Sequence, residues 1–190
     1  MKTMILLIPW IAIAQQIACG QGTLNFSNLA SGVDAPVTNA AGIRIVGPGP
    51  YVADLFWSSD TNAPSDSLTP ASFNQPFLTT TLSGGGYFLG GTKTLPTQQM
   101  ILAQIRVWDT SYGATYAQAR GNGGEFGSSN PILALPTIPP PPAWNLIGLQ
   151  GFQLGTIPEP SFIALALFGS AALFFCRRWT RRPGSAHIRT

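Results

Sequence analysis

The chain has 190 residues, 45% hydrophobic and only 9% charged, with ten Lys and Arg, seven Asp and Glu, one His and two Cys. Soluble domains average about 25% charged residues, which excludes a coiled coil, a charged disordered tail and a typical cytosolic enzyme. The net charge of +3 is terminal: between Gln21 and Ile157 the residues Arg44, Lys93, Arg106 and Arg120 are outnumbered by Asp34, Asp54, Asp60, Asp66, Asp109 and Glu125, so no basic stripe marks a nucleic-acid partner.

The N-terminus opens with Met1-Lys2, followed by an uncharged apolar run, Met4 to Ala14 (MILLIPWIAIA). Ala18-Cys19-Gly20 then supplies small residues. This order predicts a secretory signal helix over residues 1–20, cleaved before Gln21. The run is short for a spanning helix, which needs ~20 apolar residues. A lipoprotein signal would instead place an acyl chain on Cys19, with Gln16 standing where that signal wants an aliphatic residue.

Short apolar runs between turn residues follow. Thr23 to Leu29 alternates Leu24, Phe26 and Asn28 with Thr23, Asn25 and Ser27. Tyr51 to Trp57 reads as a strong strand, and Tyr87 to Leu89 follows the Gly84-Gly85-Gly86 turn. Gln99 to Trp108 puts Ile101, Ala103, Ile105 and Val107 on one face and Leu102, Gln104, Arg106 and Trp108 on the other. That pattern predicts a central strand with one wetter face. Pro131 to Leu135 and Leu146 to Leu154 are expected to close the sheets, with Pro139 to Pro142 as a rigid crossover. Roughly seven to nine strands, no sustained helical period and no repeat predict an all-β domain, a β-sandwich or jelly-roll-like body over residues 21–156. Phe26, Tyr51, Phe56, Trp57, Tyr87 and Trp108 are the bulky core candidates. Gly84 to Gly86 and Gly121 to Gly124 read as turns. No Lys-Ser or Lys-Thr follows the first, and Glu125 after the second would repel phosphate.

The body has no Cys, and the only His is His187. A Ser-His-Asp triad, a Cys-His pair and a His-ligated zinc are therefore excluded from it. No catalytic residue, metal or cofactor is expected. Asp109 and Glu125 are the carboxylates left for glycosidase chemistry, which needs two such groups ~5–10 Å apart. Asp60, Asn62 and Asp66 offer oxygen ligands without the spacing of a calcium loop. Trp57 and Trp108 are the candidates for stacking on a sugar ring.

At the C-terminus Pro158-Glu159-Pro160 precedes sixteen uncharged residues, Ser161 to Cys176, and then Arg177, Arg178, Arg181 and Arg182. A helix over 161–176 is ~24 Å long, short for a ~30 Å hydrocarbon core, and flanking arginines can snorkel. The positive-inside rule keeps those arginines, with the tail 183–190, on the cytoplasmic side. The body would lie outside, as the N-terminal signal also implies.

Residues 157–182 resemble the PEP-CTERM sorting signal of Gram-negative bacteria, through Pro158, Glu159, Pro160, the apolar run and Arg177-Arg178. The same segment is also labelled an ice-binding protein C-terminal domain, which implies no ice binding. The extension from Pro183 to Thr190 departs from the pattern. The resemblance implies an exosortase, a membrane-embedded cysteine transpeptidase-like enzyme, as processing partner at the inner membrane. Cleavage near the tripeptide would pass the protein to the envelope or the extracellular matrix. The stretches GTLNFSNLASGVDAPV, RVWDTSYGATYAQA and LIGLQGFQL, with Asn130-Pro131, also resemble secreted PEP-CTERM proteins of Verrucomicrobia-like bacteria. That likeness brings no established activity and no catalytic residue. The expected function is a non-enzymatic exported envelope or matrix protein. The alternatives are a carbohydrate-binding module for exopolysaccharide and a carboxylate-dependent glycoside hydrolase.

Overall fold

The computed structural model describes residues 20–79, 85–139 and 142–157. The expected signal segment up to Cys19, the span 161–176 and the sorting residues Pro158, Glu159, Pro160, Arg177 and Arg178 lie outside them. Among the described residues no helix is long and apolar enough to cross a membrane.

The body is all-β in character. Its strands are β1 (Gly22–Ser27), β2 (Leu29–Ala30), β3 (Val33–Asp34), β4 (Val37–Thr38), β5 (Tyr51–Ser58), β6 (Thr69–Pro70) and β7 (Gln75–Pro76). They continue with β8 (Leu89–Leu95), β9 (Ile101–Asp109), β10 (Phe126–Ser128), β11 (Ile132–Ala134), β12 (Trp144–Asn145) and β13 (Phe152–Gln153). A six-residue helix α1 (Tyr116–Gly121) and a 3-10 turn at Ser65–Ser67 interrupt them.

The two longest strands, β5 and β9, pair antiparallel from Tyr51↔Asp109 to Ser58↔Leu102. Strands β10 and β11 extend the far side of β9, and β6 and β7 the far side of β5, giving six strands. A second sheet runs β12-β1-β8. One buried apolar cluster draws Leu24, Phe26, Phe88 and Leu95 from the three-stranded region and Leu55, Ile101, Ala103, Ile105 and Val107 from the six-stranded sheet. The alternation predicted for β9 thus appears on its inward face, because a period of two sends every second side chain to one side.

Asn28 ties this core together at its margin. It is 1% exposed. Its Nδ2 donates to the Ala35 carbonyl at 2.7 Å and the Gly86 carbonyl at 2.8 Å, and its Oδ1 accepts the Phe88 N–H at 2.8 Å. Gly86 has φ +84, and a Cβ there would stand 2.9 Å from the Val37 carbonyl oxygen. The position of Gly86 therefore needs glycine for both backbone angle and room.

Two expectations change. The apolar stretch from Leu146 to Leu154 is not one strand: Gly148 has φ +91, and Leu149 closes a turn onto Leu146, so only β13 pairs, with β4. The face of β9 expected to be wet is buried, with Gln104 5%, Arg106 9% and Trp108 2% exposed. Its cover is a second apolar cluster in which Phe56 and Trp108 meet Leu68 and Ala119, with Tyr116 packed against them.

Candidate functional site

The cover on that outer face starts with α1. Thr115 builds a capping box: its Oγ1 accepts the Gln118 N–H, and Gln118 Oε1 accepts the Thr115 N–H. Both partners satisfy donors that a helix start leaves unpaired. The helix is too short to stand alone, and its packing holds it. Ala119 is fully buried, and the Tyr116 ring meets Phe56 at 5.9 Å, Trp108 at 6.2 Å and Phe126 at 5.7 Å. The last two contacts are edge-to-face, the geometry that the ring quadrupole favours.

Arg106 lies beneath this helix. Its guanidinium carbon is 4.2 Å from the Phe56 ring centre and 5.1 Å from that of Tyr116. Its Nε donates to Gln104 Oε1 at 3.0 Å, and its Nη2 donates to the Ser65 carbonyl. Gln104 in turn donates to the Ser129 carbonyl at 2.9 Å. A polar relay thus crosses the sheet from the turn before β11, through β9, to the 3-10 turn. Burial lowers the pKa of Arg106, with Arg120 acting in the same direction and Tyr116 and Asp66 opposing it.

Asp54 stands opposite Arg106 in the register of β5 and β9, yet the two form no ion pair. The segment Ala71–Asn74 takes the carboxylate instead. Oδ1 accepts the Phe73 N–H at 2.7 Å and the Leu55 N–H at 2.9 Å, and Oδ2 accepts the Ser72 N–H at 3.1 Å. Ser72 (φ 62) and Asn74 (φ 43) are left-handed, and this backbone turns successive N–H groups toward the anion. Burial raises the pKa of Asp54, against the backbone hydrogen bonds from Phe73, Leu55, Ser72 and Asn74, which lower it.

Between this loop and the start of α1 lies a cleft of about 310 Å³. Asp54, Arg106, Phe56, Trp108, Ser72 and Asn74 line it, with Thr115 and Tyr116 on the helix side. The hydroxyl of Ser72 and the side-chain amide of Asn74 make no hydrogen bond among the described residues.

The residues singled out from sequence fall elsewhere or play other parts. Trp57 is half-buried against the main core. Trp108 borders the cleft but is 2% exposed, and its indole N–H finds no acceptor among the described residues. The two therefore do not form an exposed aromatic row. Asp109 and Glu125 are brought close along the backbone, the Asp109 N–H donating to the Glu125 carbonyl at 2.9 Å. Their side chains serve the fold: Asp109 Oδ1 accepts the Ser111 N–H, and Glu125 Oε2 accepts the Tyr51 hydroxyl and the Ala40 N–H. Asp60 holds the Asn62 N–H at 2.9 Å, and Asp66 lies in the 3-10 turn. No group of three or more metal-binding side chains occurs among the described residues.

Burial and the Glu125 carboxylate push the pKa of Tyr51 up to about 12. The folded state holds the phenolic proton more tightly than the unfolded state, whose pKa is 10.0. The stabilisation is full below the unfolded value and is lost as pH rises through the folded one. The expected result is a phenolate absorbance step near the folded value that disappears in Tyr51→Phe. Loss of a step at the ordinary tyrosine pKa in Tyr51→Phe, in place of one near the folded value, would contradict the Tyr51–Glu125 hydrogen bond.

Sequence reasoning passed over Asp54, Arg106, Ser72, Asn74 and Tyr116. One signal was available: the Thr115 to Gln118 spacing of a capping box announces α1 and hence a cover over β9. The chain matches no protein-family model, no curated protein and no solved structure.

Proposed function

We propose that this chain is an exported, non-enzymatic envelope or extracellular-matrix protein, whose β-sandwich body holds exopolysaccharide in the cleft beside α1. The observation that carries the binding role is the lining of that cleft. Ser72, Asn74, Thr115 and Arg106 converge there, each with hydrogen-bonding capacity left unused among the described residues, around buried apolar rings. Small, mostly preformed pockets with a few placed polar groups are the usual form of a ligand site. Asp54 supports a binding rather than a proton-transfer role, because both of its oxygens are engaged by backbone N–H groups.

Export and sorting are supported by the pattern of the two ends. The N-terminal run and the C-terminal Pro-Glu-Pro, apolar and arginine sequence give one topology. In this reading an exosortase-like enzyme cuts near Pro158, Glu159 and Pro160 after the span has entered the inner membrane, using Arg177 and Arg178 as the stop. Replacing Pro158, Glu159 and Pro160 together by Ala is expected to leave uncut, membrane-bound protein on fractionation of the producing cell. Unchanged release and mature mass would overturn the sorting role.

A further inference from the structure

We propose that the cleft takes the carboxylate of an acidic sugar, a hexuronate unit of a polysaccharide, on the free edge of the Arg106 guanidinium. This rests on the glycan-binding reading of the same cleft and adds the charge of the ligand.

Arg106 is a buried cation without an ion pair among the described residues. It is 9% exposed. Its neighbours in the second cluster are aromatic and apolar. A guanidinium so placed loses hydration that neutral carbonyls only partly replace. Asp54, the carboxylate across the strand register, is held by the amides of Leu55, Ser72 and Phe73. Asp66 and Arg120 are the other charges that Arg106 feels, and they oppose one another.

The guanidinium is also held in one orientation. Gln104 takes its Nε proton and Ser65 one of its Nη2 protons, while the Phe56 and Tyr116 rings flank it. Nη1 donates to no group among the described residues. Among the described residues the sealed-off side-chain N and O atoms without a partner are the indole nitrogens of Trp108 and Trp144, so Nη1 keeps some access to solvent. Arg106 lines the cleft, where this edge would meet a ligand. A fixed planar donor of this kind suits a carboxylate, whose two oxygens match its spacing.

The rim selects a sugar over a bare carboxylate. The Ser72 hydroxyl, the Asn74 amide and the donor proton of the Thr115 hydroxyl, all unused among the described residues, can meet ring hydroxyls. The volume of about 310 Å³ lies at the small end of ligand pockets, roughly 300–1,000 Å³, which suits a unit or two of a chain.

The test compares an oligogalacturonate with its fully methyl-esterified form, titrated into the full-length wild-type protein by calorimetry. The ester keeps the ring and removes the charge, so no variant has to fold. The acid is expected to bind about tenfold to a hundredfold more tightly, the range of one charge-assisted hydrogen bond or two. Arg106→Gln, checked for an unchanged circular dichroism spectrum, is expected to erase that preference, so that acid and ester bind alike. Equal binding of acid and ester would overturn the carboxylate site and leave the glycan reading standing. Binding of a neutral glucan with neither uronate probe would do the same. No binding of any glycan, including exopolysaccharide from the producing cell, would overturn both.

Discussion

Asn28→Ala is expected to lower the free energy of unfolding by about 3 kcal/mol or more, read from the urea midpoint at constant slope. The side chain is 1% exposed and serves three backbone groups, the carbonyls of Ala35 and Gly86 and the N–H of Phe88. Each buried partner left unpaired costs about 1–3 kcal/mol, and the three losses share one cavity, so they do not simply add. The effect spreads because the partners lie on different segments. Gly86 also bonds to Val37 and Ile45, and Phe88 packs on Phe26 and Phe77. Asn28→Asp sharpens the test. It keeps an acceptor for Phe88 but turns the donor into an oxygen facing two carbonyls, so it is expected to be no better than Ala at neutral pH. A loss below about 1 kcal/mol in both variants would show that these three bonds do not hold the turn.

Asp54→Ala is expected to cost about 2–4 kcal/mol, because it strips the amides of Leu55, Ser72 and Phe73 of their acceptor. The consequence should reach beyond the loop. Phe73 packs edge-on to Phe26 at 5.1 Å, so release of the left-handed backbone at Ser72 and Asn74 loosens a contact of the main core. The pH dependence separates this role from that of a surface acid. The Asp54 pKa is raised by burial, so the folded state binds the proton more readily than the unfolded state. Its contribution is greatest below the ordinary carboxylate range and falls as pH rises through the raised value. The advantage of wild type over the non-titrating Asp54→Asn should therefore grow as the solution is acidified. An advantage that shrinks on acidification would contradict the burial of this carboxyl.

The inward faces of β5 and β9 were legible because apolar residues recur at every second position, from Ile101 to Val107. The candidate site was not, and the reason is long-range cover. Leu102, Gln104, Arg106 and Trp108 read as a half-wet face, which is what an uncovered strand would be. Leu68 and Tyr116, far from one another in the chain, close over it. Helix α1 is shorter than two turns and is bounded by Gly113 and Gly121, so no hydrophobic period could reveal it. Asp54 looked like one of six solvated acids. Its partners Ser72 and Phe73 lie 18 and 19 residues away, and Ser72 takes a left-handed backbone that few non-glycine residues adopt. The aromatic candidates were correctly bulky but inward: Trp108 became part of the floor under Tyr116.

The measurement that tests this account most directly is the intact mass and N-terminal sequence of the protein recovered from the producing cell's envelope and medium. The account predicts a chain beginning at Gln21 and ending near Pro158 to Pro160, without the apolar segment and its arginines. Recovery of the whole 20.1 kDa chain, starting at Met1 and found only inside the cell, would contradict it.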